Sequence, residues 1–565
     1  MLRALRRSRV PDGTMSLMAS TFARTTAWLA LGTGTSRLLG LARTVMLGIA
    51  IGITGSAAAD SFAVANKLPN VMFAVVAAGV LNAALIPQIV RSFHQNRERT
   101  VHRILTLGGF WMLVVTALLT VTAGLWVRVY SSGWGPEQTA LATAFALWCI
   151  PQLFFYGMYT LFGQVLNARE QFGPFMWAPV VNNLIAIIGL AVYIVVFGPF
   201  DTALAGSLAQ DWTGQRIALV AGVATLGIAA QAAVLIPPML RGGYRWQWVW
   251  RGPKGELTVA AKVASWALAA VLVEQVAVAL TTRVASEAQV AAPGNESIAG
   301  VAAYDYALAI YLVPHSLVTV SIMTVLFTQM SRRASESDLA GVRTVLSKGV
   351  RSVGAFTMFA AAALVVLAPH VVRVIAPYSS PETVGAVIVV LQCLAVGLVP
   401  LGASVLIKQA YFALEDGKSV FLMHIPMAIA WVGVAWAGYE LLEVRWWVPA
   451  VAVGLTVSNT VAVALRAWGL RRRLGGLDGK RVALMHARAL IAAVVSGAVG
   501  WLVVSVAPDS HAARGWENVA TSAVVVLVGG VLMLATYLAA ARVAKLGEVN
   551  ELMASLTARL RRRVR

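Results

Sequence analysis

The chain has 565 residues, of which 59% are hydrophobic and 12% charged, and its mean hydropathy is +0.76. Soluble domains carry about a quarter charged residues, so this composition excludes a soluble globular protein and indicates an integral membrane protein. The net charge of +21 does not point to nucleic acid, because Lys and Arg gather in short connectors between apolar runs rather than on one basic face.

In chain order, the opening "MLRALRRSRV" has the charge of a signal peptide, but no apolar core with a small-residue cleavage site follows closely, so residues 1–20 read as a cytoplasmic tail. Apolar runs of the roughly 20 residues needed to cross hydrocarbon then recur. Fourteen are expected, beginning near Thr21, Ser61, Ile104, Leu141, Pro174, Ile217, Val259, Ala302, Val350, Val384, Val420, Trp447, Ala483 and Thr521. The connectors beginning at Arg91, Arg241, Ser331 and Arg466 are basic. Those beginning at Ser131, Phe197, Ala285, Ala376 and Ala507 carry few or no basic residues. The positive-inside rule places the first set in the cytoplasm and the second outside. With the basic tail "ARLRRRVR", both termini are then cytoplasmic and the number of spans is even. Trp246, Trp248, Trp250, Trp446 and Trp447 fall at span edges, as an interfacial belt does.

Four charges interrupt the first two runs: Arg37, Arg43, Asp60 and Lys67. An ionisable group at the bilayer centre costs roughly 2.5–3.5 kcal/mol on insertion scales and ordinarily faces a bundle interior or a wet cavity. Asp60 and Lys67 are two helical turns apart and share a face. Arg37 and Arg43 lie some 120° apart on a straight helix, but the glycines around them, Gly40 among them, are expected to let the helix bend. Arginine forks suit phosphate, and lysine supplies a compact positive charge. These four residues are therefore candidates for binding an anionic substrate, the alternative being snorkelling or purely structural ion pairing. Glu274, Gln275 and Asp305 are candidates for holding a coupling cation (sodium or a proton), or else pair with Lys408 or Arg283. Pro69 and Pro314, inside apolar runs, are expected hinges or kinks.

"LFGQVLNARE" from Leu161 and "LIKQAYFALE" from Leu406 agree at several positions with an offset of 245, and the same offset carries Pro69 onto Pro314. That offset shifts the spans by six, an even number, which makes a parallel duplication of two six-helix halves. The expected domains are residues 21–240 and 259–466, joined by a basic linker at 241–258. Two extra helices at 467–543 and a basic tail at 544–565 follow. Such halves place a substrate path at their interface and alternate its exposure. Cys149 and Cys393 both lie in apolar runs, so no disulfide framework is expected. No phosphate-binding loop, metal-ligand spacing or nucleophilic triad is present, so the chain reads as a transporter and not an enzyme, driven by an ion gradient, the membrane potential or downhill flow.

"SRLLGLAR" from Ser36, "ADSFAVANKLPN" from Ala59 and "AAGVLNAALIP" from Ala77 resemble the opening signature of the MurJ (MviN) family, lipid II flippases of the multidrug/oligosaccharidyl-lipid/polysaccharide exporter superfamily. The resemblance implies a fold of two parallel halves and two extra helices that help form a groove for the lipid tail. It implies lipid II, a polyprenyl pyrophosphate carrying the peptidoglycan unit, as the substrate moved from the inner to the outer leaflet of a bacterial cytoplasmic membrane. It also implies surrounding lipids and cell-wall synthesis and division proteins as partners, and a dependence on membrane potential, with sodium in some members. Arg37 and Arg43 match the family's cavity arginines, and Asp60 and Lys67 match its "D-x-F" and "K-L-P-N" positions. The sequence departs from the family in having no charge between Val71 and Gly79 and in lacking a cavity arginine near Ala309. The alternatives are a drug or metabolite antiporter of the same superfamily and a non-transporting scaffold for wall synthesis.

Overall fold

The computed structural model describes residues 12–77, 89, 92, 93, 95, 97–200, 212–251, 258–292, 297–509 and 515–549, with side chains described from Leu31 in the first helix and from Ser265 in the ninth. The described residues contain helices and no strands. In the first half these are α1 (Asp12–Ile51), α2 (Ala57–Val76), α3 (Glu98–Val121), α4 (Ala123–Tyr130), α5 (Pro136–Cys149), α6 (Gln152–Ala168), α7 (Phe172–Phe197) and α8 (Gly214–Arg241). The second half contains α9 (Thr258–Ala288), α10 (Val301–Ser335), α11 (Leu339–Ile375), α12 (Pro381–Val396), α13 (Leu398–Ala413), α14 (Gly417–Leu441) and α15 (Trp447–Arg473). After it come α16 (Gly479–Val506) and α17 (Trp516–Val543).

Eleven described helices are long and apolar enough to cross a bilayer, or twelve with the α12–α13 pair, which is bent by 44°. The first two expected spans, α1 and α2, are not among them; in α2, Asp60, Asn66, Lys67 and Asn70 break the apolar run. The chain is a multi-pass membrane protein. Its outer surface exposes Val121, Val195, Ile491 and Val543, as befits helices solvated by lipid. α1 begins at Asp12, within the expected tail at residues 1–20. Residues 1–11 and 550–565, which carry the rest of both tails, lie outside the described residues.

The duplication is visible in helix ends. α5 and α12 both begin with proline, Pro136 and Pro381, at the position where a missing N–H costs nothing. α6 and α13 both end with a non-glycine residue in the left-handed region, Glu170 (φ 60°) and Glu415 (φ 56°). Each is followed by the bond that closes such a cap: Gln171 N–H to Leu166 O and Asp416 N–H to Tyr411 O, both 2.9 Å. Every one of these pairs is separated by 245 residues, so the backbone repeats with the sequence.

One continuous core joins the halves, running from Phe62, Phe145 and Leu190 to Ala307, Val372 and Leu391. The linker after α8 folds back onto α3, where the Val249 N–H donates to Thr106 Oγ1 at 3.2 Å and the Trp246 indole donates to the same oxygen. α16 and α17 lie outside the repeat and pack on α11, with the Tyr537 hydroxyl donating to Ala355 O at 2.6 Å.

Candidate functional site: a polar interface between the halves

α1, α2 and α10 meet around a cavity of about 280 Å³ lined by Thr44, Asn66, Lys67, Asn70, Asp305 and Tyr306 among others. Ser56 caps α2 by accepting the Ala59 N–H at 3.1 Å, which sets Asp60 in the first turn. Asp60 is fully buried. Its carboxylate accepts the Ala302 N–H at 2.7 Å, at the start of α10. With its amide oriented by the surrounding donors, Gln289 donates to the other carboxylate oxygen at 2.6 Å. Asp60 thus supplies the negative charge favoured at a helix N-terminus, across the boundary between halves. Gly300 is required beside it, since a Cβ there would collide with the carboxylate.

Lys67, two turns further along α2, pairs with Asp305 at 3.0 Å. Asp60 and Asp305 are 245 residues apart and so are repeat mates, each binding the opposite half. Asp305 therefore does not join Glu274. Glu274 is exposed on α9 and lies within electrostatic range of Lys408, Arg466 and His424. Gln275 is beside it and half-buried. Arg283 engages neither acid; it donates to Arg128 O at 3.0 Å. Among the described residues no group of three or more His, Cys, Asp or Glu side chains has metal-binding geometry.

Arg37 is exposed and Arg43 half-buried, and among the described residues neither has an acidic partner. Arg37 faces the second half, where it lies within electrostatic range of His315, as does Lys408. Arg43 turns toward Tyr156 and Cys149 of its own half. It stands beside a polar chain in which Gln152 donates to Asn66 Oδ1 at 3.3 Å. Neither arginine lines the 280 Å³ cavity itself.

α1 is a single helix from Asp12 to Ile51, with no break at Gly40. Gly40 instead lies opposite Asn183, which donates to Ser36 O at 2.9 Å. Gly48 admits the Tyr306 ring, whose hydroxyl donates to Thr44 O. Pro69 is buried within α2. Pro314 immediately precedes a π-helical turn, His315–Thr319, that interrupts α10. Cys149 and Cys393 are free thiols. Sequence reasoning missed Tyr306, Gln289, Asn66 and Asn70. The last two carry a signal, being polar residues on the Asp60–Lys67 helix.

Links between the halves include Thr54 to Thr383 (2.6 Å between hydroxyl oxygens), the Ser132 N–H to Ser286 Oγ (2.9 Å) and the Trp134 indole to Ser286 O (3.0 Å). These, the Asp60 contact and the Arg283 bond involve residues near the chain turns away from the basic connectors, and the Lys67–Asp305 pair lies two helical turns deeper along α2. Deeper in the bundle, Arg37 of the first half and Lys408 of the second both lie within electrostatic range of His315, with no bond among the three in the described residues.

Two parallel helical repeats enclosing a polar interface define the class: a membrane carrier of alternating-access type. Residues 49–514 match the family model described as lipid II flippase MurJ, and the chain belongs to that family. It is 27% identical over 499 residues to the probable lipid II flippase MurJ of Haemophilus influenzae, covering 83% of this chain and 90% of that one. Against the lipid II flippase MurJ of Burkholderia cenocepacia it is 25% identical over 460 residues, covering 78% and 81%. Its fold is similar to a solved lipid II flippase MurJ in an inward closed conformation, with TM-score 0.66, 16% identity and coverage of 91% and 98%. It is also similar to an inward-facing multidrug MATE transporter of the MOP superfamily, with TM-score 0.62, 16% identity and coverage of 79% and 96%.

Proposed function

We propose that the protein moves lipid II from the inner to the outer leaflet of a bacterial cytoplasmic membrane by alternating access, without covalent chemistry. The observation that carries this reading, beside family membership, is the asymmetry of the interface. Among the described residues, bonds join the halves at one end, while away from it Arg37 of the first half and Lys408 of the second both lie near His315 with no bond between them. With the basic connectors and both termini placed in the cytoplasm, the joined end is external and the loose end internal.

The chemistry follows from charge. Arg37 on the first half and Lys408 on the second repel when the site is empty, which keeps the inner end open. A pyrophosphate entering between them reverses that interaction, and Arg43 offers a further donor fork deeper in the first half. Attraction through the bound anion draws the inner ends together, and closure there is compensated by parting of the Asp60 and Lys67 contacts outside. The polyprenyl tail stays in lipid throughout. The empty carrier is net cationic at this site, and a unit charge crossing the potential gains about 2.3 kcal/mol per 100 mV. An inside-negative membrane therefore favours return of the empty site to the inner face. Glu274 takes no external cation in this scheme, because Lys408 and Arg466 already neutralise it.

The test is complementation in a host depleted of its own flippase. Arg37→Ala and Arg43→Ala, at unchanged protein level, are expected to leave lipid II in the inner leaflet, inaccessible to an external probe. Growth and normal exposure of lipid II with both substitutions would remove these side chains from the mechanism.

A further inference from the structure

A second cationic cavity lies away from the interface, where α11, α16 and the chain after α17 converge. Its volume is about 430 Å³, and its walls carry Lys348, Arg351, Arg481, Arg488 and Lys545 against one acid, Glu548. The walls are built by regular helix geometry. Thr344, Lys348 and Arg351 fall at i, i+4 and i+7 on α11, and Arg481, Leu484 and Arg488 at i, i+3 and i+7 on α16, so each helix turns one face inward.

The third wall depends on the way α17 ends. Lys545 takes a left-handed conformation (φ 54°). The Leu546 N–H then closes onto Ala541 O at 2.9 Å, reversing the chain. Leu546 is buried beneath the turn, and the Glu548 carboxylate is clipped by Arg351 in an ion pair whose side chains are 8% and 12% exposed. The one acid among the described lining residues is thereby used to hold the wall in place. Arg481, Arg488 and Lys545 have no ion pair among the described residues, apart from the electrostatic reach of Arg481 to Asp478, which Arg343 already binds.

We propose that this cavity binds the phosphate of an anionic phospholipid of the inner leaflet. Two arginines and a lysine converging without a counter-charge are suited to a phosphodiester. The cavity lies near the starts of α11 and α16 and the end of α17, the side of the basic connectors. Beyond Leu484, which lines it, α16 exposes Ile491, Val495 and Leu502 in steps of seven, four and seven residues, one apolar ridge along which acyl chains can lie. A free inorganic phosphate would use the cations and leave that ridge idle. The bound lipid would tie α11, α16 and the turn after α17 into one unit. This assignment does not rest on the flippase reading.

The experiment uses the full-length chain in a neutral detergent, with fluorescent phosphatidylglycerol and fluorescent phosphatidylcholine as probes. Phosphatidylglycerol is expected to bind more tightly. Each cation removed near an anionic headgroup should weaken it by roughly fivefold, so Arg488→Gln with Lys545→Gln lowers its affinity on the order of 25-fold while the Arg351–Glu548 clip stays intact. Arg99→Gln with Arg241→Gln, which removes equal charge from the first half's basic face, should leave binding unchanged. Equal binding of the two lipids, an equal loss with the control pair, or full displacement by millimolar inorganic phosphate would each overturn the assignment.

Discussion

Lys67 and Asp305 meet with side chains 17% and 32% exposed, between the regimes of surface and buried ion pairs. Exposed pairs contribute about 0–1 kcal/mol, whereas removing one partner of a buried pair costs about 3–5 kcal/mol. Lys67→Ala is therefore expected to destabilise the protein by about 1–3 kcal/mol in thermal unfolding. The exchange Lys67→Asp with Asp305→Lys should recover most of that loss. No recovery would mean that Lys67 acts through something other than this pair. The types and positions of these charges were legible in the sequence, and so, through the common offset, was the kinship of Asp60 and Asp305. Their partners were not. Asp60 is held by a backbone N–H and by Gln289, and a backbone group leaves no mark in composition or spacing. Asp60 and Lys67, read as members of a substrate site, each make a contact between the halves, and Lys67 also lines the cavity there. Among the described residues no acidic side chain pairs with Arg37 or Arg43.

Helices and their ends could be read more fully than the contacts between them. Pro136, Pro381 and the repeated run before Glu170 and Glu415 specify starts and stops by backbone chemistry, which is local. The glycines of α1 were ambiguous for the opposite reason. A glycine that permits a bend and a glycine that permits an approach look alike in one dimension. In α1, Gly32 and Gly48 serve approach: a Cβ on Gly32 would meet the Trp177 ring at 2.9 Å, and Gly48 faces the Tyr306 hydroxyl. Overpacking of this kind costs about 1–3 kcal/mol. Gly48→Ala should push α10 away from α1, lowering thermal stability and transport together. Adding Tyr306→Phe removes the atom that collides, so the double variant should be more stable than Gly48→Ala alone. If the two effects merely add, the α1–α10 approach does not set the fit of the halves.

Duplication explains why so much of the architecture survives in a sequence so dominated by alanine, valine and leucine. Two copies at a fixed offset reveal parallel halves without any knowledge of packing, and the sign of each connector orients them. The state of the carrier was hidden, because it depends on which of two nearly equivalent ends is bonded. That choice is small in energy: hydrogen bonds inside membrane proteins average about 0.6 kcal/mol, so the few links at the bonded end hold the halves by only a few kcal/mol, within reach of a bound anion. Making one of those links covalent should therefore arrest the cycle. Thr54 and Thr383 approach to 2.6 Å between hydroxyl oxygens, which makes them the pair at which to attempt a disulfide. In a background lacking Cys149 and Cys393, Thr54→Cys with Thr383→Cys is expected to support growth under reducing conditions and to lose lipid II exposure on oxidation. Either single cysteine should be indifferent to oxidant. Transport that continues through a quantitatively formed disulfide would mean that these ends never part, and that the passage lies elsewhere than between the halves.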